Sequence, residues 1–153
     1  MANVTSRRRL VAAVKESLRL ARNQLSVFSR QVATRLELKD ADLDCLDLID
    51  RAGPLSPTAL ARLTGLHPAT MTGILDRLER GGWIIRERAE SDRRAVQIRS
   101  LRNRQGELYG MLAGMNRSID EICADYSDAE LAVVADFLRR ATDAGHAAAK
   151  ELP

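Results

Sequence analysis

The hydrophobic positions in the first quarter of the chain recur at alternating steps of three and four residues. They are Val11, Val14, Leu18, Ala21, Leu25, Phe28 and Val32. This spacing puts them on one face of a helix that packs lengthwise against other helices. The pattern therefore predicts one long helix over about residues 6–36, with Val11, Val14 and Leu18 in an interface between helices.

A second helical pattern follows the first after a short polar stretch. Asp40 or Asp42 can provide its N-cap, since a carboxylate accepts a hydrogen bond from the first free backbone N–H groups. The apolar positions Leu43, Leu46 and Ile49 have helical spacing, and Gly53-Pro54 ends the pattern.

Residues 55–82, "LSPTALARLTGLHPATMTGILDRLERGG", contain two further helix starts of the same kind. Ser56-Pro57 and His67-Pro68 each combine a capping residue with proline at the first helical position. Two short helices joined by a tight turn at Gly65 are a helix-turn-helix. The first should bury Leu60 and Leu63, and the second should bury Met71, Ile74, Leu75 and Leu78.

The next segment changes from helical to strand-like patterning. Trp83, Ile84 and Ile85, and then Val96 and Ile98, have high β-propensity and flank the polar stretch "AESD". We predict a hairpin with a long loop, which makes the preceding motif a winged helix-turn-helix.

The rest of the chain returns to helical spacing. Apolar residues from Leu108 to Ile122 predict a long helix. A capping box from Ser127 to Glu130 predicts the start of another, expected to bury Leu131, Val134, Phe137 and Leu138. The expected fold is mainly α with a small β-hairpin wing, in a single domain over residues 1–153. Residues 37–100 form the winged lobe, and residues 1–36 and 101–153 form a helical lobe that includes Leu131 and Leu138 and that the family resemblance given below identifies as a dimerisation lobe.

Charge is distributed unevenly along the chain. Net charges are +7 over residues 1–36, −4 over 37–76, +5 over 77–104 and −5 over 105–153. The basic centre coincides with the end of the helix-turn-helix and the wing, which favours a polyanionic partner. The alternative interpretation of these charges is that they simply solvate the exposed faces of the helices.

Several functional classes have no support in the sequence. There is no apolar run of about 18 residues, so we expect no membrane span. Cys45 and Cys123 are lone thiols, which suits the reducing cytoplasm. No spacing typical of metal ligands, phosphate loops or catalytic carboxylate pairs occurs, so we expect no metal, no cofactor and no enzyme.

Arg93 and Arg94 lie at the expected tip of the wing. If the second helix of the motif enters the major groove, the wing reaches a neighbouring minor groove, where an arginine is attracted to narrow A·T-rich segments. Asp92 is then expected to pair with an arginine and order the loop. A solvated polar turn is the alternative.

Residues 55–99, within a resemblance that covers about residues 38–100, resemble the winged helix-turn-helix of MarR-type transcription regulators. The resemblance rests on the Ser-Pro helix start, the threonine-rich second helix running into "LDRLERGGWI", and the "SDRR" wing tip. It implies a cytoplasmic homodimer whose N- and C-terminal helices interlock and whose two wings read a pseudo-palindromic DNA operator. It also implies a repressor that a small aromatic or anionic effector releases from DNA. The family's usual Leu-Thr pattern after the wing is absent here, which leaves Ser100 as the candidate cap of the fifth helix.

The second helix of the motif should present its exposed first turns to base edges. Threonine hydroxyls can bond bases or contact a thymine methyl, and glycine permits close approach. Ser56 and Thr58 can meet phosphate, or can simply cap the preceding helix. The predicted DNA-contacting residues are Ser56, Thr58, Pro68, Ala69, Thr70, Thr72, Gly73, Arg77, Arg93 and Arg94. In a dimer the half-sites would be centred about 10 base pairs apart.

Two other interpretations remain open at this stage. The chain could be a winged-helix protein-interaction module without DNA binding. It could also be a redox-responsive regulator that uses Cys45, although a buried structural thiol is the simpler interpretation of that residue. Gly106, Gly110 and Gly114 share one helix face, which predicts a close helix crossing in the dimerisation lobe.

Overall fold

The computed structural model describes residues 2–88 and 95–152, with side chains from residue 6 onward. Helix α1 spans Ala2–Arg35, α2 Asp40–Ala52, α3 Pro57–Thr64 and α4 Pro68–Arg80. Strands β1 (Ile84–Arg88) and β2 (Val96–Ser100) follow, then a 3-10 turn at Arg102–Arg104, α5 (Gln105–Cys123) and α6 (Asp128–Lys150). The predicted fold class, mainly α with a two-stranded hairpin, is confirmed.

The chain divides into two compact units, Met1–Met111 and Leu112–Pro153. The first unit contains the helix-turn-helix, the hairpin and all of α1. The second contains α6. The division of the chain into a winged lobe and a helical lobe, made from the sequence, stays a prediction.

The caps of α3 and α4 are those that the sequence predicts. Ser56 Oγ accepts a hydrogen bond from the backbone N–H of Ala59, and His67 Nδ1 accepts one from Ala69. The predicted cap of α2 is wrong, because Lys39 occupies the N-cap and Asp42 is the third helical residue. Asp42 instead accepts a hydrogen bond from the backbone N–H of Lys39, over 3.2 Å.

The core of the first unit is aliphatic and lies under the helix-turn-helix. The end of α1 contributes Val32, Ala33 and Leu36, and every apolar residue predicted to be buried in α2 and α4 is buried. Leu60 of α3 is fully buried, but Leu63 is 56% exposed, so that prediction is wrong. Helix α3 has only eight residues, of which Leu60 is the buried one, so the helix is covered on one side of its first turns and Leu63 stays exposed.

The hairpin is antiparallel, with Ile85 opposite Arg99 and Arg86 opposite Ile98. Leu55 extends it on the other side of β2, since Leu55 N–H donates to Ile98 O and Ile98 N–H donates to Leu55 O. The turn from α4 into β1 requires glycine twice. A Cβ on Gly81 would lie 2.8 Å from the Trp83 ring, and Gly82 has a φ of +72°.

Ser100 is the last residue of β2 and does not cap α5, so that prediction is wrong. The chain passes from β2 through the 3-10 turn directly into α5. Gln105 fixes this passage, because its amide nitrogen donates to Asp50 over 3.1 Å and to Ser100 over 3.4 Å.

In the second unit, the capping box at Ser127 and Glu130 is confirmed. The predicted burial of the apolar face of α6 is wrong for the single chain. Val134, Phe137 and Leu138 are more than 40% exposed, and Leu131 is only half-buried. A long amphipathic helix with an uncovered apolar face needs a partner surface.

None of the helices within the described ranges is both long enough and apolar enough to cross a membrane.

Candidate nucleic-acid interface

The first two turns of α4 form an exposed polar surface. Pro68, Ala69, Thr70 and Thr72 are all exposed, and Gly73 is half-buried. The opposite side of the same helix is sealed into the core by Met71, Ile74, Leu75 and Leu78, each at most 1% exposed. A helix held by one face, with small and hydroxyl side chains on the other, can enter a major groove.

The start of α3 offers a second polar surface. Thr58 is exposed and Ser56 is half-buried, and the Ser56 hydroxyl is already engaged as the N-cap acceptor. Its O–H hydrogen remains available for donation. Backbone N–H groups at a helix N-terminus together with a hydroxyl suit a phosphate oxygen.

Arg77 lies on α4 but is engaged with another helix. Its Nε donates to Asp42 Oδ2 over 3.0 Å and its Nη2 donates to Asp42 Oδ1 over 2.6 Å. The hydrogen bonds to Asp42 raise the pKa of Arg77 above its ordinary value. The arginine side chain is 36% exposed, and that of Asp42 is 1% exposed. Sequence reasoning found Arg77 but not its partner, which is 35 residues away along the chain.

A second ion-pair cluster joins α4 to β1. Arg86 donates to Asp76 over 2.7 Å and to Glu79 Oε2 from Nε over 2.9 Å, and the Arg86 backbone N–H also donates to Glu79. Hydrogen bonds from Arg86 hold the pKa of Glu79 below its usual range. These residues have no sequence motif of their own, so only the packing of β1 against α4 reveals them.

The base of the wing carries an exposed cross-strand pair, in which Arg99 Nη2 donates to Glu87 Oε1 over 2.8 Å. The residues predicted to form the wing tip, Asp92, Arg93 and Arg94, lie outside the described residues.

Beside the end of α4 is an open cavity of about 280 Å³. Trp83 and the three arginines Arg77, Arg80 and Arg104 line it, together with Glu37. Trp83 is 1% exposed and Arg104 lies over its ring, so the groups that the cavity offers a ligand are guanidinium groups, which suit a negatively charged molecule.

Cys45 is fully buried in the core. Burial, followed by the nearby charges of Asp44 and Asp42, raises the pKa of the thiol to about 11. Redox sensing requires an accessible thiolate, which this environment disfavours. The geometry therefore favours the structural interpretation of Cys45.

The seam of α1 is uncovered over most of its length. Val11, Val14 and Leu18 are 44%, 45% and 39% exposed. Gly106, Gly110 and Gly114 also face open space, since nothing among the described residues lies within 4 Å of a Cβ built on any of them. These surfaces are available for contact with a second copy of the chain.

Comparison with known proteins gives a consistent result. Residues 38–96 match the model of the MarR family. YcgE of Bacillus subtilis, an uncharacterized HTH-type transcriptional regulator, is 29% identical over 143 residues, covering 94% of this chain and 93% of that protein. The HTH-type transcriptional repressor YetL of the same organism is 36% identical over 76 residues, covering 50% and 46%. A MarR family protein from Bacillus stearothermophilus has a similar solved structure, with a TM-score of 0.69, 25% identity, and coverage of 90% and 96%.

Proposed function

We propose that this chain, whose residues 38–96 match the MarR family of winged helix-turn-helix transcription regulators, is a homodimeric repressor acting in the cytoplasm, since members of that family bind DNA as dimers. It binds a pseudo-palindromic operator in double-stranded DNA and is released by a small aromatic or anionic effector. The observation that carries this proposal is the two-sided nature of α4, with one face in the core and small polar residues on the other.

The proposed contacts fall into three groups. Pro68, Ala69, Thr70, Thr72 and Gly73 meet base edges in the major groove, where Gly73 lets the helix approach closely. Ser56 and Thr58 meet phosphates. Arg94, supported by Arg93 and a loop ordered by Asp92, enters the minor groove.

The exposed seams support the homodimer. Burying Val11, Val14 and Leu18 of α1, and Leu131 and Leu138 of α6, against a second copy would remove a large apolar area from water. A dimer also presents two α4 helices to two half-sites, which a palindromic operator requires.

The cavity beside Trp83 supports the class of effector. It places the guanidinium groups of Arg77, Arg80 and Arg104 in the same compact unit as α4, which suits an anionic effector. Trp83 is the chain's single tryptophan, so its fluorescence reports occupancy directly. We expect benzoate or a related aromatic acid to change this fluorescence and to release operator DNA over the same concentration range.

The deciding experiment is selection of bound fragments from genomic DNA by the purified protein, followed by sequencing. The expected result is an enriched motif with two inverted half-sites. Arg94→Ala should then weaken binding to that motif by about 1–3 kcal/mol, in a variant that still folds and dimerises. A protein that enriches no sequence would contradict regulation through DNA and favour a protein-interaction module.

A further inference from the structure

We infer that Asp42 is a positioning residue for operator recognition, and that Arg77 acts through it by locking α4 to α2 rather than by contacting a base. The inference rests on the proposed function, because it concerns how the reading helix is aimed.

Asp42 and Arg77 form a bidentate ion pair. Both oxygens of Asp42 accept from Arg77, at 2.6 and 3.0 Å, and Oδ2 also accepts from the backbone N–H of Lys39 at 3.2 Å. Among the described residues, Asp42 is the only charged or polar side chain classed as buried. A planar bidentate pair has one good docking geometry, whereas apolar side chains can slide over one another.

The pair is not needed merely to hold the core together. Helices α2 and α4 also pack against each other, and their apolar residues Leu46, Ile49, Ile74 and Leu78 are all at most 2% exposed. Well-packed apolar residues often replace a buried ion pair without loss of stability. What the Asp42–Arg77 pair adds is a defined angle and rotation of α4.

The same geometry limits how Arg77 can reach DNA. Of the five N–H donors of its guanidinium group, Nε and one on Nη2 are bonded to Asp42, so a base could be contacted only through the second N–H of Nη2 and those of Nη1. Nη1 lies 3.5 Å from where a Cβ of Gly73 would be. The charge of Asp42 also offsets that of Arg77, so its attraction to phosphate is small.

The position of the pair on the helix gives it leverage. Arg77 lies eight residues beyond Ala69, about 12 Å along the helix axis, so a tilt of about 10° at Arg77 moves the reading turns by about 2 Å. The cluster of Arg86 with Asp76 and Glu79 holds α4 on the β1 side. Asp42 is the corresponding attachment on the α2 side. Binding sites require placement to within about 0.5 Å, so losing one attachment should reduce specificity.

The test compares wild type with Asp42→Asn, Arg77→Gln, Arg77→Lys and the double variant Asp42→Asn/Arg77→Gln. Asp47→Asn is the matched control, because it removes the same charge from the same helix at an exposed site, where Asp47 pairs with Arg51 of α2. Each protein is titrated with the selected operator and with unrelated DNA of equal length, over a range of salt concentrations. Circular dichroism and gel filtration verify folding and dimerisation.

We expect Asp42→Asn and Arg77→Gln each to lose about tenfold or more of operator affinity, comparable to one mismatched base pair, with unrelated DNA bound as well as before. The double variant should lose no more than either single variant, and the salt slope should stay unchanged. Arg77→Lys keeps a charge opposite Asp42 but loses the fork, so it should fold and still lose specificity. Asp47→Asn should match wild type.

Other results would overturn the inference. Operator binding that is unchanged or tighter in Asp42→Asn would mean that the pair restrains Arg77 instead of using it. A salt slope reduced by about 0.9 in Arg77→Gln would indicate a direct phosphate contact. If either single variant failed to fold, full operator affinity in Arg77→Lys would overturn the inference. A wild-type protein that shows no preference for any operator would contradict the proposed function itself.

Discussion

The guanidinium carbon of Arg104 lies 4.1 Å from the centroid of the Trp83 ring. Arg104 Nη1 also donates to Gly81 O over 3.0 Å, so one side chain closes the turn between α4 and β1 and covers the indole. Its remaining donors reach Glu107 in the first turn of α5. The residues that connect β2 to α5 are thus attached to the end of the reading helix.

Replacing Arg104 with alanine should therefore destabilise the fold. The lost cation–π contact and hydrogen bond predict a decrease of about 1–2 kcal/mol in the free energy of unfolding. Trp83 should become more exposed, with a red shift of its fluorescence. Urea unfolding followed at the tryptophan measures both effects. Arg102→Ala is the control, because Arg102 is an exposed neighbour in the same turn. Equal effects of the two variants would argue against the Trp83 contact.

Gly73→Ala should separate stability from DNA binding. Its Cβ would meet only Arg77 Nη1 at 3.5 Å, an ordinary contact, so the helix should gain about 1 kcal/mol from higher helix propensity. Operator affinity should nevertheless fall, because the methyl group occupies space needed for close approach to the bases. Thermal melts and operator titrations measure the two effects. Gly145→Ala provides a comparable exposed helical glycine in α6, and it should not affect DNA binding.

Leu18→Glu should produce a monomer. Leu18 is 39% exposed on the seam of α1, and a carboxylate there would have to be desolvated in the dimer. Leu20→Glu is the control, since Leu20 is 54% exposed on another face of α1. Analytical ultracentrifugation gives the oligomeric state. Loss of the second half-site should weaken operator binding about 100-fold or more. If the Leu18→Glu variant were still a dimer, the placement of α1 in the dimer interface would be wrong.

Cys45 should be unreactive and should make stability depend on pH in the alkaline range. Its folded pKa of about 11 exceeds the ordinary value of 9.0. Below pH 9 the thiol is protonated in both the folded and the unfolded state, so the free energy of unfolding keeps its full value. As the pH rises from about 9 to 11, only the unfolded chain loses the proton, and stability falls. Urea unfolding across this range should show the decrease in wild type and not in Cys45→Ala.

Alkylation provides an independent check on the same residue. In the native protein at pH 8, half-buried Cys123 should react with iodoacetamide before Cys45 does. Peroxide should leave operator binding unchanged in Cys123→Ser, which retains only Cys45. Loss of binding in that variant would restore the redox interpretation.

Local patterns were sufficient to predict most of the fold. The spacing in α4 identified its buried face, and the Ser-Pro and His-Pro pairs located the starts of α3 and α4. Leu63 was wrongly predicted to be buried. Helical spacing identifies the apolar face of a helix, but it does not show how much of that face the neighbouring elements cover. Burial of the α6 face was wrongly predicted for the single chain, because helical spacing identifies an apolar face and not what covers it.

The ion pairs that orient α4 could not be predicted from local spacing. Asp42 was considered only as a cap, since nothing near it in sequence indicates a bond to Arg77. Arg86 likewise finds Asp76 and Glu79 only after the turn at Gly81-Gly82 folds β1 back onto α4. Such contacts depend on tertiary packing, and arginine and carboxylate side chains are common enough that composition does not identify them.

The two hydrogen bonds between Leu55 and Ile98 have a mechanical consequence. Leu55 immediately precedes the cap of α3, and Ile98 is in the second strand of the wing, so the supports of two sets of proposed DNA contacts are hydrogen-bonded to each other. We therefore expect the start of α3 and the wing to move together along the double helix. On this proposal the protein fixes the spacing between its contacts in neighbouring grooves. The duplex then has to bend or twist to match that spacing.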